Sequence, residues 1–148
     1  MSNERSVDEI DILLVEDDPG DVVLTTEALH SSKLTNVVHV VENGELAMKF
    51  LRRQSPYEDA PRPDLVLLDL NLPRMDGREV LAEIKSDPAL RSIPVVVLTT
   101  SKAEEDILRS YDLHANAYVT KPVDFERFVQ VIQQIDEFFI SVVRLPNR

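Results

Sequence analysis

Residues 10–19 read Ile10-Asp11-Ile12-Leu13-Leu14-Val15-Glu16-Asp17-Asp18-Pro19, an apolar run that stops on three carboxylates and a proline. Branched apolar residues predict a short strand. Their near-continuity, in place of strict alternation, predicts a strand covered on both faces, as in parallel sheets. Asp18 before Pro19 is the signature of a helix N-cap followed by proline at the first helical position, and Asp21 stands three residues after the cap.

Outward from this stretch the same alternation recurs. Apolar runs at 37–41, 65–68, 93–98 and 117–120 predict four further strands. Helical spacing at 22–29, 45–51, 79–84, 104–113 and from Phe125 onward predicts five helices. Asp76 with Glu79, and Ser101 with Glu104, have capping-box spacing. Strict βα alternation with short loops predicts an α/β domain built on a doubly wound, five-stranded parallel sheet. Ligands of such sheets bind beyond the carboxyl ends of the strands, at the topological switch point. The one long connection, 52–63, carries Pro56, Pro61 and Pro63, which disfavour regular structure.

Composition narrows the function. A chain of 148 residues with 43% apolar content fits one globular domain, 1–148, with its core at about 9–136 and an extended C-terminal helix or tail at 137–148. The absence of cysteine excludes disulfides, thiolate nucleophiles and zinc-thiolate sites. A net charge of −11 opposes the phosphate neutralisation on which DNA binding depends. No apolar run approaches the ~18 residues of a membrane span. The polar, acid-bearing N-terminus lacks the pattern of a secretory signal, so a cytoplasmic location is expected. His30, His39 and His114 are too scattered to suggest a metal site.

Chemistry collects at the strand ends: Glu16-Asp17-Asp18 after the first, Asp69-Leu70-Asn71 after the third, Thr99-Thr100-Ser101 after the fourth and Thr120-Lys121-Pro122 after the fifth. In a parallel sheet these converge on one crevice. Adjacent carboxylates repel one another there and call for a cation. Hard oxygen ligands suit Mg²⁺, which completes its octahedron with water and phosphate oxygens.

Set at those strand ends in that order, the motifs resemble the receiver domain of two-component response regulators, over nearly the whole chain. The resemblance implies a flavodoxin-like strand order, 2-1-3-4-5, and a phosphoryl group accepted on Asp69 from a sensor histidine kinase. It further implies Mg²⁺ or Mn²⁺ held by Glu16, Asp17, Asp69 and the main-chain carbonyl of Asn71. Lys121 corresponds to the lysine that neutralises the phosphoryl group, Thr99 to the switch hydroxyl, Tyr118 to the switch aromatic, and Lys121–Pro122 to a cis peptide bond. Thr100 departs from the pattern, standing where a smaller residue is usual. A closer likeness is carried by Tyr57-Glu58, Ala60-Pro61-Arg62-Pro63-Asp64, 76–81, 113–118 and Leu145-Pro146. It is to the small stand-alone regulators paired with bacterial phytochrome kinases, and it implies a phytochrome as the kinase.

Plainer readings stand beside these. Asp18 reads as a cap rather than a ligand, Glu16 alone as a solvated strand-end acid, and Tyr118 alone as a core aromatic. A Mg²⁺-dependent aspartyl phosphatase also uses a strand-end Asp, but that class places a second Asp two residues later as general acid, where this chain has Asn71. A flavin-phosphate site is opposed by the charges of residues 16–18. An unphosphorylated binding module would be expected to lose part of the acidic set or Lys121, and none is lost.

At the C-terminus, Phe125, Phe128, Ile132, Ile135, Phe139 and Val142 form one helical stripe. Val131, Phe138 and Leu145 on one side, with Val129 and Ile140 on the other, widen the apolar arc to roughly 220°. A homodimer or partner face at Phe128, Val131, Phe138, Val142 and Leu145 is the expectation; the other reading is a tail that bends before Pro146 and folds back over its own domain.

Overall fold

A computed structural model describes residues 9–30, 35–110, 115–121 and 126. The predicted alternation is present: β1 (Glu9–Val15), α1 (Pro19–His30), β2 (Thr35–Val41), α2 (Gly44–Leu51), β3 (Leu65–Asp69), α3 (Gly77–Ser86), β4 (Val95–Thr99), α4 (Lys102–Ser110) and β5 (Ala117–Thr120). The five strands are parallel and lie in the order β2-β1-β3-β4-β5. The chain winds from β1 outward to β2, then crosses back to β3 on the other side of β1. The crevice between the ends of β1 and β3 is therefore the switch point. Four helices lie among the described residues. The fifth helix, the segment 137–148, the Lys121–Pro122 bond and the face at Phe128, Val131, Phe138, Val142 and Leu145 lie outside them.

Both sheet faces are covered, which explains the near-continuous apolar strands. Leu13 and Val15 of β1 join a core with Ala47, Met48, Phe50 and Leu51 of α2 and Val80, Leu81 and Ile84 of α3. Their neighbours Ile10, Ile12 and Leu14 belong to a second core with Leu29 of α1, Leu65 and Leu67 of β3, and Val96 and Leu98 of β4.

Caps set where the helices begin. Asp18 Oδ1 accepts the Gly20 amide at 2.9 Å, as its place before Pro19 predicts. At α2 the cap is Asn43, whose side chain accepts the Leu46 amide; the sequence reading assigned no cap there. The Asp76–Glu79 capping box is complete. Only half of the Ser101–Glu104 box forms. Ser101 Oγ accepts the Glu104 amide, but the Glu104 carboxylate reaches one residue further back, to the amide and hydroxyl of Thr100. Thr100 offers that carboxylate two donors where Ser101 offers one amide.

The 52–63 connection carries no helix or strand, yet it is fastened to the body. The Tyr57 ring lies 5.4 Å from that of Phe50. The Arg62 guanidinium donates to the Ala89 carbonyl and the Ser92 hydroxyl. Just beyond the connection, Asp64 donates its amide to the Asp11 carbonyl and accepts the Asp11 amide. Among the described residues no helix is long and apolar enough to cross a membrane.

Candidate functional site

Three backbone hydrogen bonds carry the sheet ladder one residue past its strands: Glu16 amide to Val41 carbonyl, Leu70 amide to Leu98 carbonyl and Lys121 amide to Thr99 carbonyl. The polar residues that follow β1, end β3 and β4, and follow β5 are thereby held at one edge. Gly77 lets α3 approach that edge closely. A Cβ on it would stand 2.6 Å from the Asp69 carbonyl oxygen and from Leu70 Cα.

At the centre is Asp69, 2% exposed. Its Oδ1 accepts the Asn71 amide at 3.0 Å and its Oδ2 faces Lys121 Nζ at 3.1 Å. Lys121 Nζ also lies 3.3 Å from Glu16 Oε1 and 2.8 Å from Asp21 Oδ2. An ammonium has three N–H donors, and three carboxylates surround this one. Burial by itself lowers the affinity of Lys121 for its proton. The Asp21 hydrogen bond, with the charges of Asp69 and Glu16, outweighs burial and raises the pKa above the ordinary lysine value.

Glu16, Asp17 and Asp69 each offer a carboxylate oxygen, all within 4.8 Å of one another. Glu16 and Asp69 are buried and Asp17 is exposed. The Glu16 carboxyl is pushed up from 4.5 to about 7, first by burial, then by its hydrogen bond to Asp69 and the charge of that residue. The amide of Asp18 and the charge of Lys121 pull the other way without cancelling the rise. Ionised together, these acids are under electrostatic strain that a hard cation relieves. The donor set and its spacing fit a Mg²⁺ or Mn²⁺ ion.

Thr99 is wholly buried, and its hydroxyl donates to the Ser101 carbonyl at 3.3 Å. Tyr118 is 6% exposed and belongs to the same apolar core as Val97 and Leu108. Asn71 is exposed beside Asp69. The structure thus brings Glu16, Asp17, Asp69 and Lys121 together, and sets Thr99 at the neighbouring strand end.

Two residues here escaped the sequence reading. Asp21 was read only as part of a helix start, although an acid in the first turn of a helix that opens at the crevice is a signal for it. Glu105 of α4 is 2% exposed and accepts the Thr120 hydroxyl at 2.6 Å. Nothing in the local sequence distinguishes it from its solvent-facing neighbours.

The family described as response regulator receiver domain matches residues 12–133. Response regulator Rcp1 of Synechocystis sp. PCC 6803 is 48% identical over 146 residues, 99% of each chain. Among solved structures, the phosphorylated cyanobacterial phytochrome response regulator RcpA shares 52% identity and a TM-score of 0.76, over 91% of this chain and 96% of its own. The Mn²⁺-bound form of Rcp1 shares 48% identity and a TM-score of 0.74, over 90% of this chain and 96% of its own.

Proposed function

The chain belongs to the response-regulator receiver family, and on that premise we propose that it accepts a phosphoryl group on Asp69 from the phosphohistidine of a sensor histidine kinase. A carboxylate oxygen of Asp69 forms the new P–O bond as the histidine P–N bond breaks, and the electron pair of that bond returns to the imidazole. The observation that carries this reading is the 3.1 Å contact between buried Asp69 and Lys121, beside two further carboxylates at the switch point. A nucleophile, a countercharge for phosphoryl oxygens and a cation-binding set meet nowhere else among the described residues.

Glu16, Asp17, Asp69 and the main-chain carbonyl of Asn71 would hold Mg²⁺ or Mn²⁺. Bound there, the ion supplies positive charge against the phosphoryl oxygens. Lys121 donates to one phosphoryl oxygen, and Thr99 turns its hydroxyl from Ser101 to another. Tyr118, already inside the core, senses that turn through the β4–β5 pair, so the phosphoryl group shifts a two-state equilibrium. The protein catalyses only its own phosphorylation and dephosphorylation. Asn71 in place of a general acid opposes rapid phosphatase turnover.

Output runs through altered protein contacts in the cytoplasm, since a charge of −11 opposes direct DNA binding. The likeness to Rcp1 and to the phytochrome regulator RcpA supports a phytochrome as the kinase. The domain is taken as 1–148, with the stripe containing Phe128, Val131, Phe138, Val142 and Leu145 as a homodimer face. Phosphotransfer from candidate phytochrome kinases tests the whole reading. Wild type takes up label in the presence of Mg²⁺ and Asp69→Asn does not; equal labelling of both overturns it.

A further inference from the structure

Lys121 is fastened by a residue that no strand end supplies. Asp21 lies in the first turn of α1, and its carboxylate makes the shortest of the three Lys121 contacts, 2.8 Å against 3.1 Å to Asp69 and 3.3 Å to Glu16. An acid in a first helical turn favours the helix wherever its side chain points. This one instead reaches a lysine 100 residues away in sequence, with both side chains mostly buried.

All three N–H bonds of Lys121 are directed at carboxylates, so none is free for an incoming phosphoryl oxygen. Some of these contacts must be released during transfer. Asp69 is the acceptor of the group and Glu16 belongs to the cation-binding trio, so both are recruited elsewhere as the reaction proceeds. Asp21 belongs to neither task. We propose that Asp21 is a positioning residue for phosphoryl transfer: it holds Lys121 by one N–H while the other two pass from Asp69 and Glu16 to the phosphoryl oxygens.

Without that tether Lys121 has only Asp69 and Glu16 to pair with. It then leans on the carboxylate that has to attack and lowers its nucleophilicity. The inference rests on the phosphoacceptor reading of Asp69 given above.

The test uses the full chain with acetyl phosphate over a Mg²⁺ titration carried to saturation, comparing wild type with Asp21→Ala, Asp21→Asn and Asp21→Glu. Phosphorylation of Asp21→Ala slows about tenfold, the effect of losing one hydrogen bond between charged groups. Asp21→Glu, which keeps the charge, recovers most of the rate. Beryllofluoride affinity, followed by ¹⁹F NMR, falls and recovers in the same order. If Asp21→Ala does not fold, the near-isosteric Asp21→Asn carries the comparison.

Wild-type rates in the folded Asp21→Ala or Asp21→Asn variant overturn the proposal. So does a deficit that disappears as Mg²⁺ is raised, which assigns Asp21 to metal affinity, or one that Asp21→Glu leaves unrepaired, which shows that a carboxylate holding Lys121 is not what the reaction needs from this position. A folded wild type that takes no label on Asp69 removes the phosphoacceptor reading itself, and this inference with it.

Discussion

The amide of Lys121 donates to the carbonyl of Thr99 across 2.6 Å, so the proposed phosphate-neutralising ammonium and phosphate-reading hydroxyl belong to backbones tied at the ends of neighbouring strands. A shift of either backbone is felt by the other through this hydrogen bond. The division between receiving the phosphoryl group and reporting it is therefore open to single substitutions.

Thr99→Ala is expected to take up phosphate from acetyl phosphate at close to the wild-type rate, because the hydroxyl donates to Ser101 and does not attack. Binding of the phosphorylated variant to its kinase or output partner, measured by calorimetry, should lose the change that phosphorylation causes in wild type. An intact response would remove Thr99 from the switch.

Asp17→Ala should weaken Mg²⁺ or Mn²⁺ binding strongly, while Asp18→Ala should leave it nearly intact. The Asp18 side chain is occupied by the Gly20 amide, so its loss costs about 1 kcal/mol of helix capping instead. Metal titrations by calorimetry and chemical denaturation of the two variants separate the effects; equal losses of metal affinity reject the assignment.

Glu16 predicts a pH dependence whose sign follows from its raised pKa. Between its ordinary value of 4.5 and about 7 the native protein holds a proton that the unfolded chain has released, so this group's contribution to stability declines as pH rises through that window. In EDTA, Glu16→Gln should therefore gain melting temperature relative to wild type at pH 8 and little or nothing at pH 4.5. Saturating Mg²⁺ should reverse the comparison at pH 8, since only the carboxylate pairs with the ion. A wild type more stable than Glu16→Gln at pH 8 without metal would contradict the sign.

Gly77→Ala should couple stability to chemistry. The added Cβ meets backbone at 2.6 Å on both Asp69 and Leu70, which cannot rotate away as a flexible side chain does. Overpacking of this kind costs about 1–3 kcal/mol. The displaced backbone is that of the proposed phosphoacceptor, so labelling from acetyl phosphate should slow as well. Normal labelling with normal stability would show that the loop gives way freely.

Glu105→Ala should cost about 1–3 kcal/mol, because the half-buried Thr120 hydroxyl loses its acceptor. Glu105→Gln, which retains an acceptor oxygen, should cost less. Urea denaturation distinguishes the two, and equal losses would mean that the carboxylate charge, rather than the hydrogen bond, holds α4 to β5.

The amino-acid sequence by itself determined the five strands, the four helices among the described residues and the edge on which chemistry gathers. These are local properties: continuous apolar runs specify strands covered on two faces, Asp18-Pro19 and Asp76 with Glu79 specify where helices start, and parallel strands deliver Glu16, Asp17, Asp69, Thr99 and Lys121 to one side. Only the tertiary structure decided which of those side chains touch and which unforeseen ones join them. Asp21 meets Lys121 across 100 residues of chain, Glu105 meets Thr120 across 15, and Arg62 meets Ala89 across 27. The face a helical carboxylate turns toward its neighbours depends on how the helix docks on the sheet, and docking is set by packing of the two apolar cores. The same holds for Glu104, whose spacing names Ser101 but whose carboxylate finds two donors on Thr100. Spacing specifies what a side chain can reach, and the folded surroundings select among the partners within reach.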